Sequence, residues 1–277
     1  MRKLTQEEWT NFDKSKECPN CSIKYDSKEM KTTKVRDHDH WTGEYRGPLC
    51  GACNIFKRKN TFIPVFFHNL KGYDSHLIIG CPESTKFLKD YGIDIKNISS
   101  NTEKFISFSY HLPSESRNFY DRCEIRFLDS FSFMPSSLDK LAGYLSNDQM
   151  SISRNYYSTQ GNDVFEIMRK KGVYPYDYMD SFKKYNEVRL PSISSFYDKL
   201  NSKECSQKDY LYAKLVWNKM NCTNLRDYTK IYMSNDVLLL ADVFENFRDL
   251  SLRVYELDPC WYYTSPGLAW DAMLKKN

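Results

Sequence analysis

The stretches CPNC (residues 18–21) and VRDHDHWTGEYRGPLCGACN (residues 35–54) together carry two C-x-x-C pairs. Two such pairs supply four thiolates at the spacing of a closed tetrahedral zinc site. A site with four protein ligands has no open position, so its ion stabilises the fold and does no chemistry. The sequence therefore predicts a structural Zn²⁺ bound by Cys18, Cys21, Cys50 and Cys53.

The residues between and after these pairs predict a ββα arrangement. KVRDHDH (34–40) and EYRGPLC (44–50) are typical of two strands, and ACNIFKRK (52–59) of a short helix. The histidines and aspartates of DHDH are not needed by the zinc site, so they are available for chemistry. Phosphodiester hydrolysis needs a base that deprotonates water and a divalent cation that stabilises charge. Histidine suits the first role, and aspartate and asparagine oxygens suit the second.

The motifs D-H-D-H-x-T-G and R-G-x-L-C-x-x-C-N, after a C-x-x-C pair, resemble the ββα-metal nucleases, most closely the recombination endonuclease VII family, which cuts branched DNA. The resemblance implies that His38 is the general base and that Asp37 and Asn54 hold Mg²⁺ or Mn²⁺. It also implies that His40 and Arg46 support the site or contact the DNA phosphates. The alternative is a zinc-stabilised module that binds DNA without cutting it, in which DHDH only braces the loop.

Charge is concentrated in the same part of the chain. Residues 1–60 hold 13 Lys and Arg against 9 Asp and Glu, which accounts for the whole formal net charge of +4. A basic module suits a polyanionic partner such as DNA, whereas an ordinary solvated surface is the alternative explanation.

The rest of the chain predicts a mixed α/β (α+β) body. TFIPVFFHNL (61–70) is apolar and β-branched, as in a buried strand, and EIRFLDSFSF (124–133) predicts a second strand. Ser136 or Ser137 is a candidate cap for the helix of SSLDKLAGYL. From Gln207 onward, apolar residues recur at helical intervals.

Two further motifs, N-x-x-x-Y-D (Asn69, Tyr73, Asp74) and Y-x-x-x-D (Tyr232, Asp236), resemble the second and third exonuclease motifs of family B DNA polymerases. A resemblance to the protein-primed polymerases of Maverick/Polinton-type elements, with organellar and viral relatives, extends over longer stretches of the sequence: IPVFFHNLKGYDSHLI, FLDSFSFMPSSLDKLA and DPCWYYTSPGLAWDAMLK. The resemblance implies an RNase H-like fold in which Asp74 and Asp236 bind metal. Tyr232 would orient the attacking water, and Asn69 and Tyr73 would grip a single-stranded 3′ end.

The sequence departs from this family in one respect that bears on activity. No Asp is followed two positions later by Glu, and neither D-x-x-S-L-Y-P nor Y-x-D-T-D occurs. We therefore expect an N-terminal piece of a DNA-directed DNA polymerase, with an incomplete 3′–5′ exonuclease and no nucleotide addition. The expected divisions are an endonuclease VII-like module at 1–60, a partial exonuclease domain at 61–250, and a connector towards a polymerase palm at 251–277.

The expected partners follow from these assignments. They are branched or single-stranded DNA and, if the chain is part of a longer product, the rest of the polymerase and its terminal protein. No signal peptide or long apolar run occurs, which predicts an intracellular protein of the nucleus with no membrane segment. The alternative is an inactive relic of a mobile element.

Overall fold

A computed structural model describes residues 3–38, 43–56, 62–101, 104–113 and 123–276. It confirms a mixed α/β protein with two sheets. The strands are β1 (Lys34–His38), β2 (Tyr45–Cys50), β3 (Phe62–Phe67), β4 (Asp94–Ser99), β5 (Phe105–His111) and β6 (Glu124–Asp129). The helices are α1 (Gln6–Lys14), α2 (Gly51–Phe56), α3 (Asp74–Gly80), α4 (Pro82–Asp90), α5 (Leu138–Gly143), α6 (Ser151–Ser158), α7 (Asn162–Met168), α8 (Gln207–Lys219), α9 (Leu225–Tyr255) and α10 (Ser265–Lys276).

The chain forms two compact units. The first contains Met1–Val65, Cys81–Asn97 and Phe108–Arg126, and the second contains Phe66–Gly80, Ile98–Ser107 and Phe127–Asn277. Strands β1 and β2 form a two-stranded sheet, and the other four strands form a sheet in the order β3-β6-β5-β4. The predicted divisions at residues 60 and 250, and the RNase H-like assignment, stay predictions.

The first unit confirms the predicted ββα arrangement. Strands β1 and β2 pair antiparallel, with Lys34 opposite Cys50 and Asp37 opposite Gly47, and the register shifts between Asp37 and His38. Helix α2 begins at Gly51, directly after β2. A Cβ atom at Gly51 would lie 2.1 Å from the backbone oxygen of Met30, so this close approach of two backbones requires glycine.

Lys34 is one of the residues that connect helix α1 to this hairpin. Its N-terminus is closed by a capping box between Thr5 and Glu8. At its C-terminal end, the Lys34 ammonium donates to the backbone oxygens of Phe12 (2.5 Å) and Ser15 (2.8 Å). A cation there satisfies carbonyls that have no partner within the helix.

The second unit has the larger core, organised around α9. Six of the buried side chains of this helix recur every three or four residues, as an amphipathic helix requires: Leu225, Tyr228, Tyr232, Asn235, Leu239 and Asp242. Helices α5 and α6 pack against it. The Ser137 side chain caps α5, as predicted. Among the helices described, none is long and apolar enough to cross a membrane.

Strand β3 corrects one expectation. The sequence predicted a buried strand, but five of its six residues are half-buried and Ile63 is exposed. Phe66 nevertheless packs on Phe244, with ring centroids 3.7 Å apart, and lies near Phe133. This contact assigns Phe66 to the core.

Candidate functional site

The four cysteines predicted to bind zinc come together in the first unit. All four Sγ atoms lie within 4.8 Å of one another, and those of Cys21 and Cys50 are 3.7 Å apart. A tetrahedral zinc ion with Zn–S bonds of about 2.3 Å separates its sulfur ligands by about 3.8 Å. The cluster therefore has the size and the donor set of a structural zinc site.

Burial and the neighbouring cysteines raise the pKa of the thiols of Cys21, Cys50 and Cys53, so of the four only Cys18 has surroundings that favour the thiolate, the form that binds metal. Burial opposes ionisation of Cys18, but hydrogen bonds from the backbone of Cys50, Asn20 and Cys21 lower the pKa of its thiol to about 6. The Asn20 side-chain amide donates to Cys53 Sγ (3.3 Å), and the Cys53 backbone N–H points at Cys50 Sγ (3.4 Å).

The predicted nuclease residues lie on β1 and α2, the elements before and after β2. Asp37 and His38 end β1, and Asn54 lies on α2, one residue after Cys53. Nδ1 of His38 lies 3.3 Å from the backbone oxygen of Arg36, an acceptor only, so this nitrogen carries the proton of that bond. His40, the second histidine of the motif, lies outside the described residues.

Asp37 has a partner that the sequence did not reveal. Its buried carboxylate accepts two hydrogen bonds from Arg46, at 3.0 Å from Nε and 2.8 Å from Nη2. This fork engages both carboxylate oxygens. The donor types of Asp37 and Asn54 suit Mg²⁺, and a cation that binds Asp37 would compete with the Arg46 guanidinium for the lone pairs of the carboxylate. The predicted contact of Arg46 with DNA stays a prediction.

In the second unit, Tyr232 and Asp236 lie one turn apart on α9. Tyr232 is buried, and its hydroxyl is 2.5 Å from that of Tyr176. Burial, and then the neighbouring Asp236 carboxylate, raise the pKa of Tyr232 far above its usual value, so the phenol stays neutral. A neutral phenol can donate a hydrogen bond, which the predicted water-orienting role requires.

Asp236 faces Lys171, whose Nζ is 3.5 Å from its Oδ2. Its Oδ1 is buried and has no hydrogen-bond partner within the part of the chain that the structure describes. Burial raises the pKa of the carboxyl group, although Lys171 opposes the shift. Perturbed carboxylates of this kind are enriched at functional sites.

Sequence reasoning missed Lys171, which is held in place by its neighbours. The buried Asn235 amide donates to the backbone oxygen of Lys170 (3.0 Å). A Cβ atom at Gly172 would lie 2.6 Å from the Tyr232 ring, so glycine is needed there. The run of basic residues before GVYPY is the only local signal, because Asp236 is 65 positions away in the sequence.

The second predicted motif forms a turn after β3. Asn69 has a left-handed backbone (φ +69°), Leu70–Gly72 form a 3₁₀ turn, and Asp74 begins α3. Tyr73 is 65% exposed. Burial, and the nearby Asp129 charge, raise the pKa of Asp74, against the effect of its backbone hydrogen bond.

The predicted exonuclease metal site is not assembled in the described residues. Among them, the four cysteines are the only group of three or more His, Cys, Asp or Glu side chains whose ligand atoms come close enough to hold a metal. Two-metal chemistry needs several carboxylates around cations roughly 4 Å apart. Asp74 and Asp236 alone do not meet this requirement, and no reaction step is assigned to them.

The family of the chain is decided by a family model. The model described as DNA polymerase type B, organellar and viral, matches residues 53–277. The chain belongs to this polymerase family. A second model, recombination endonuclease VII, matches residues 2–73, which include all four cysteines and Asp37, His38 and Asn54. No curated protein and no solved structure matches the chain.

These two families imply that this type B polymerase chain binds DNA. Both predicted resemblances are thereby confirmed at the level of the family. The Maverick/Polinton subtype stays a prediction, as do the roles of the individual site residues.

The cysteine cluster yields a prediction about zinc. Replacing Cys53→Ser should reduce bound zinc from about one ion per chain to almost none and increase amide exchange across residues 15–56, because binding energy of a structural zinc is folding energy. Metal analysis and hydrogen exchange by mass spectrometry measure both effects. Cys222→Ser is the matched control, since both cysteines are 9% exposed and Cys222 lies outside the cluster. Full zinc content in Cys53→Ser would contradict the assignment.

Asp236 yields a prediction about pH. Because the native state raises its pKa above the ordinary value of 3.8, the folded protein binds this proton more tightly than the unfolded chain does. Its contribution to stability is therefore lost as pH rises through the raised pKa. Asp236→Asn removes this penalty, so it should melt at a higher temperature than the parent at pH 7 and at the same temperature below pH 3.8.

The control for this prediction is Asp249→Asn on the same helix, whose side chain is 74% exposed and which should change little. Thermal unfolding followed by circular dichroism across pH measures the difference. A lower melting temperature for Asp236→Asn at pH 7 would mean that the Lys171 contact outweighs burial.

Proposed function

We propose that this polymerase-family chain binds DNA through its four-cysteine module and hydrolyses a phosphodiester bond there when a divalent cation is supplied. One observation carries the proposal. The cysteine cluster joins β2 to α2, and the elements on either side of β2 carry the base and oxygen donors that such a nuclease needs. The match to recombination endonuclease VII over residues 2–73 supports the same activity.

His38 acts as the general base in this proposal. Its Nδ1–H donates to the Arg36 backbone oxygen, which fixes the tautomer and leaves the lone pair of the neutral ring on Nε2. Nε2 then accepts the proton of the attacking water. The bond to Arg36 also restricts rotation of the imidazole ring.

Asp37 and Asn54 are the residues that would hold Mg²⁺ or Mn²⁺. The bound cation would stabilise the negative charge that develops on the phosphate and on the leaving oxygen. The cation would compete with Arg46 for the Asp37 carboxylate, and a guanidinium released from it is well suited to a DNA phosphate because it offers a planar fork of donors.

A second candidate is a module that binds DNA without cutting it. The Asp37–Arg46 pair favours this candidate, because an aspartate whose two oxygens are already bonded needs no cation. In this case the pair stabilises the hairpin, and the basic residues of the module provide the attraction to DNA.

In the second unit, Asn69 and Tyr73 are proposed to hold single-stranded DNA. The support is the exposure of Tyr73, whose ring is available for a base to stack on. Asp74 and Asp236 are proposed as metal-binding carboxylates of an incomplete exonuclease site, and Tyr232 as the residue that would orient water there; the described residues supply too few carboxylates for turnover to be assigned. The terminal protein, a location in the nucleus and the preference for branched DNA likewise rest on family resemblance.

The proposed nuclease is tested with labelled branched and single-stranded DNA in Mg²⁺ or EDTA. We expect cation-dependent internal cuts by the parent chain. His38→Ala should slow cutting by a factor of about 10² or more, with zinc content unchanged, because a general base contributes on this scale. His76→Ala, which replaces an exposed histidine on α3, is the control and should cut normally.

Two outcomes would overturn the proposal in different ways. A folded, zinc-loaded parent that binds DNA but leaves it intact would favour the binding module. Undiminished cutting by His38→Ala would retain the nuclease and remove His38 from its mechanism.

A further inference from the structure

Asp129, which no sequence motif singled out, has an unusual environment. It ends β6 and is 2% exposed, whereas carboxylates are rarely buried unless they are paired. Its Oδ1 accepts hydrogen bonds from the backbone N–H groups of Asn69 (2.8 Å) and Phe131 (3.0 Å), and its Oδ2 accepts one from that of Lys71 (3.1 Å). These bonds use three of roughly four lone-pair positions of a carboxylate, which leaves little capacity for a cation.

Two of these donors belong to the turn that carries the second polymerase motif. Asn69, at the start of this turn, adopts a left-handed backbone, which asparagine tolerates better than most other residues do. A Cβ atom at Gly72 would lie 2.6 Å from Asn69 Oδ1, so the Asn69 side chain folds back over this glycine. The Asp129 carboxylate bonds to the backbone at two points of this turn and so stabilises its conformation.

The next residue, Ser130, holds the chain just before the turn. Its hydroxyl donates to the Phe67 backbone oxygen (2.8 Å), and its Oγ lies 2.9 Å from Nδ1 of His68. Nε2 of His68 in turn donates to the Ser136 backbone oxygen (2.8 Å). Adjacent side chains at the end of β6 therefore bond to residues 67, 68, 69 and 71.

We propose that Asp129 is the positioning residue for the DNA grip at Asn69 and Tyr73, and that Ser130 assists it. Asp129 touches neither DNA nor a cation. It fixes the turn so that the Asn69 amide and the Tyr73 ring can both contact the single-stranded DNA. This inference rests on the proposed grip of single-stranded DNA by Asn69 and Tyr73.

The chain offers a matched control for the test. Asp242 on α9 is 1% exposed and also accepts three hydrogen bonds, from the Ile152 N–H (2.9 Å), the Ser153 N–H (3.0 Å) and the Ser153 hydroxyl (2.5 Å). In either position, Asp→Asn replaces one acceptor oxygen by an amide that cannot accept, so a backbone N–H loses its partner. Both variants should therefore lose a similar amount of thermal stability, and only one of them alters the turn.

The experiment measures binding of a fluorescent single-stranded oligonucleotide to the zinc-loaded full chain. Asp129→Asn should weaken binding about tenfold, since a stacked base contributes about this much, and Asp242→Asn should bind as the parent does. Tyr73→Ala should show a similar loss. The double variant Asp129→Asn/Tyr73→Ala should lose less affinity than the sum of the two single losses, because Asp129 acts through Asn69 and Tyr73. Purely structural damage would add to the loss.

Hydrogen exchange of residues 68–74 separates a failure of this inference from a failure of the proposed grip. Faster exchange there in Asp129→Asn, and not in Asp242→Asn, is expected. Unchanged exchange, or additive losses in the double variant, would overturn the positioning role. If Tyr73→Ala binds like the parent, the proposed contact of Tyr73 with single-stranded DNA is wrong, and the positioning role of Asp129 is wrong with it. Should Asp129→Asn fail to fold, Ser130→Ala should show the same two effects at smaller size, and their absence would overturn the proposal.

Discussion

The convergence of four cysteine thiols is the constraint on which the first unit depends. Among the described residues, the core around Cys18, Cys50 and Cys53 contains one further buried hydrophobic side chain, that of Leu49. Tyr25 and Val35, which are partly buried, pack against this core. A cluster this small cannot by itself offset the entropy of ordering two strands and two helices. A zinc ion bound by the four cysteines would supply the missing free energy at the junction of β2 and α2. The placement of Asn54 relative to Asp37 and His38 would then depend on this ion, although none of the three would bind it.

The second unit contains buried carboxylates of two physical kinds. Asp129 and Asp242 accept three hydrogen bonds each, so their charge is solvated by fixed donors and they hold distant segments in register. Asp236 has a buried oxygen with no partner among the described residues, one lysine at 3.5 Å, and a raised pKa. Buried polar groups in folded proteins are nearly always bonded, so an unpaired one indicates a use other than stability. Asp129 and Asp242 are therefore suited to positioning other residues, whereas Asp236 is a candidate for chemistry.

Local features of the fold could be predicted from the sequence. The C-x-x-C spacing predicted the cysteine cluster, the pattern of KVRDHDH and EYRGPLC predicted the hairpin, and the sequence narrowed the cap of α5 to Ser136 or Ser137, because each signal lies within a few residues. The bonds that complete the candidate sites could not be predicted this way. Arg46 reaches Asp37 across the hairpin register, Asp129 reaches Asn69 over 60 positions, and Lys171 reaches Asp236 over 65. No periodicity encodes such pairs. The predicted burial of β3 was wrong because apolar composition does not reveal which face of a strand is covered.

X-ray absorption spectroscopy at the zinc edge on the purified chain tests whether the four cysteines form a closed zinc site. We expect four sulfur neighbours at about 2.3 Å and no nitrogen or oxygen ligand, as in a closed tetrathiolate site. A mixed shell with nitrogen or oxygen at about 2.0–2.2 Å would contradict it, because a histidine or water would then replace a cysteine. In that case the zinc would have an exchangeable ligand position, and a residue of DHDH could itself be a zinc ligand.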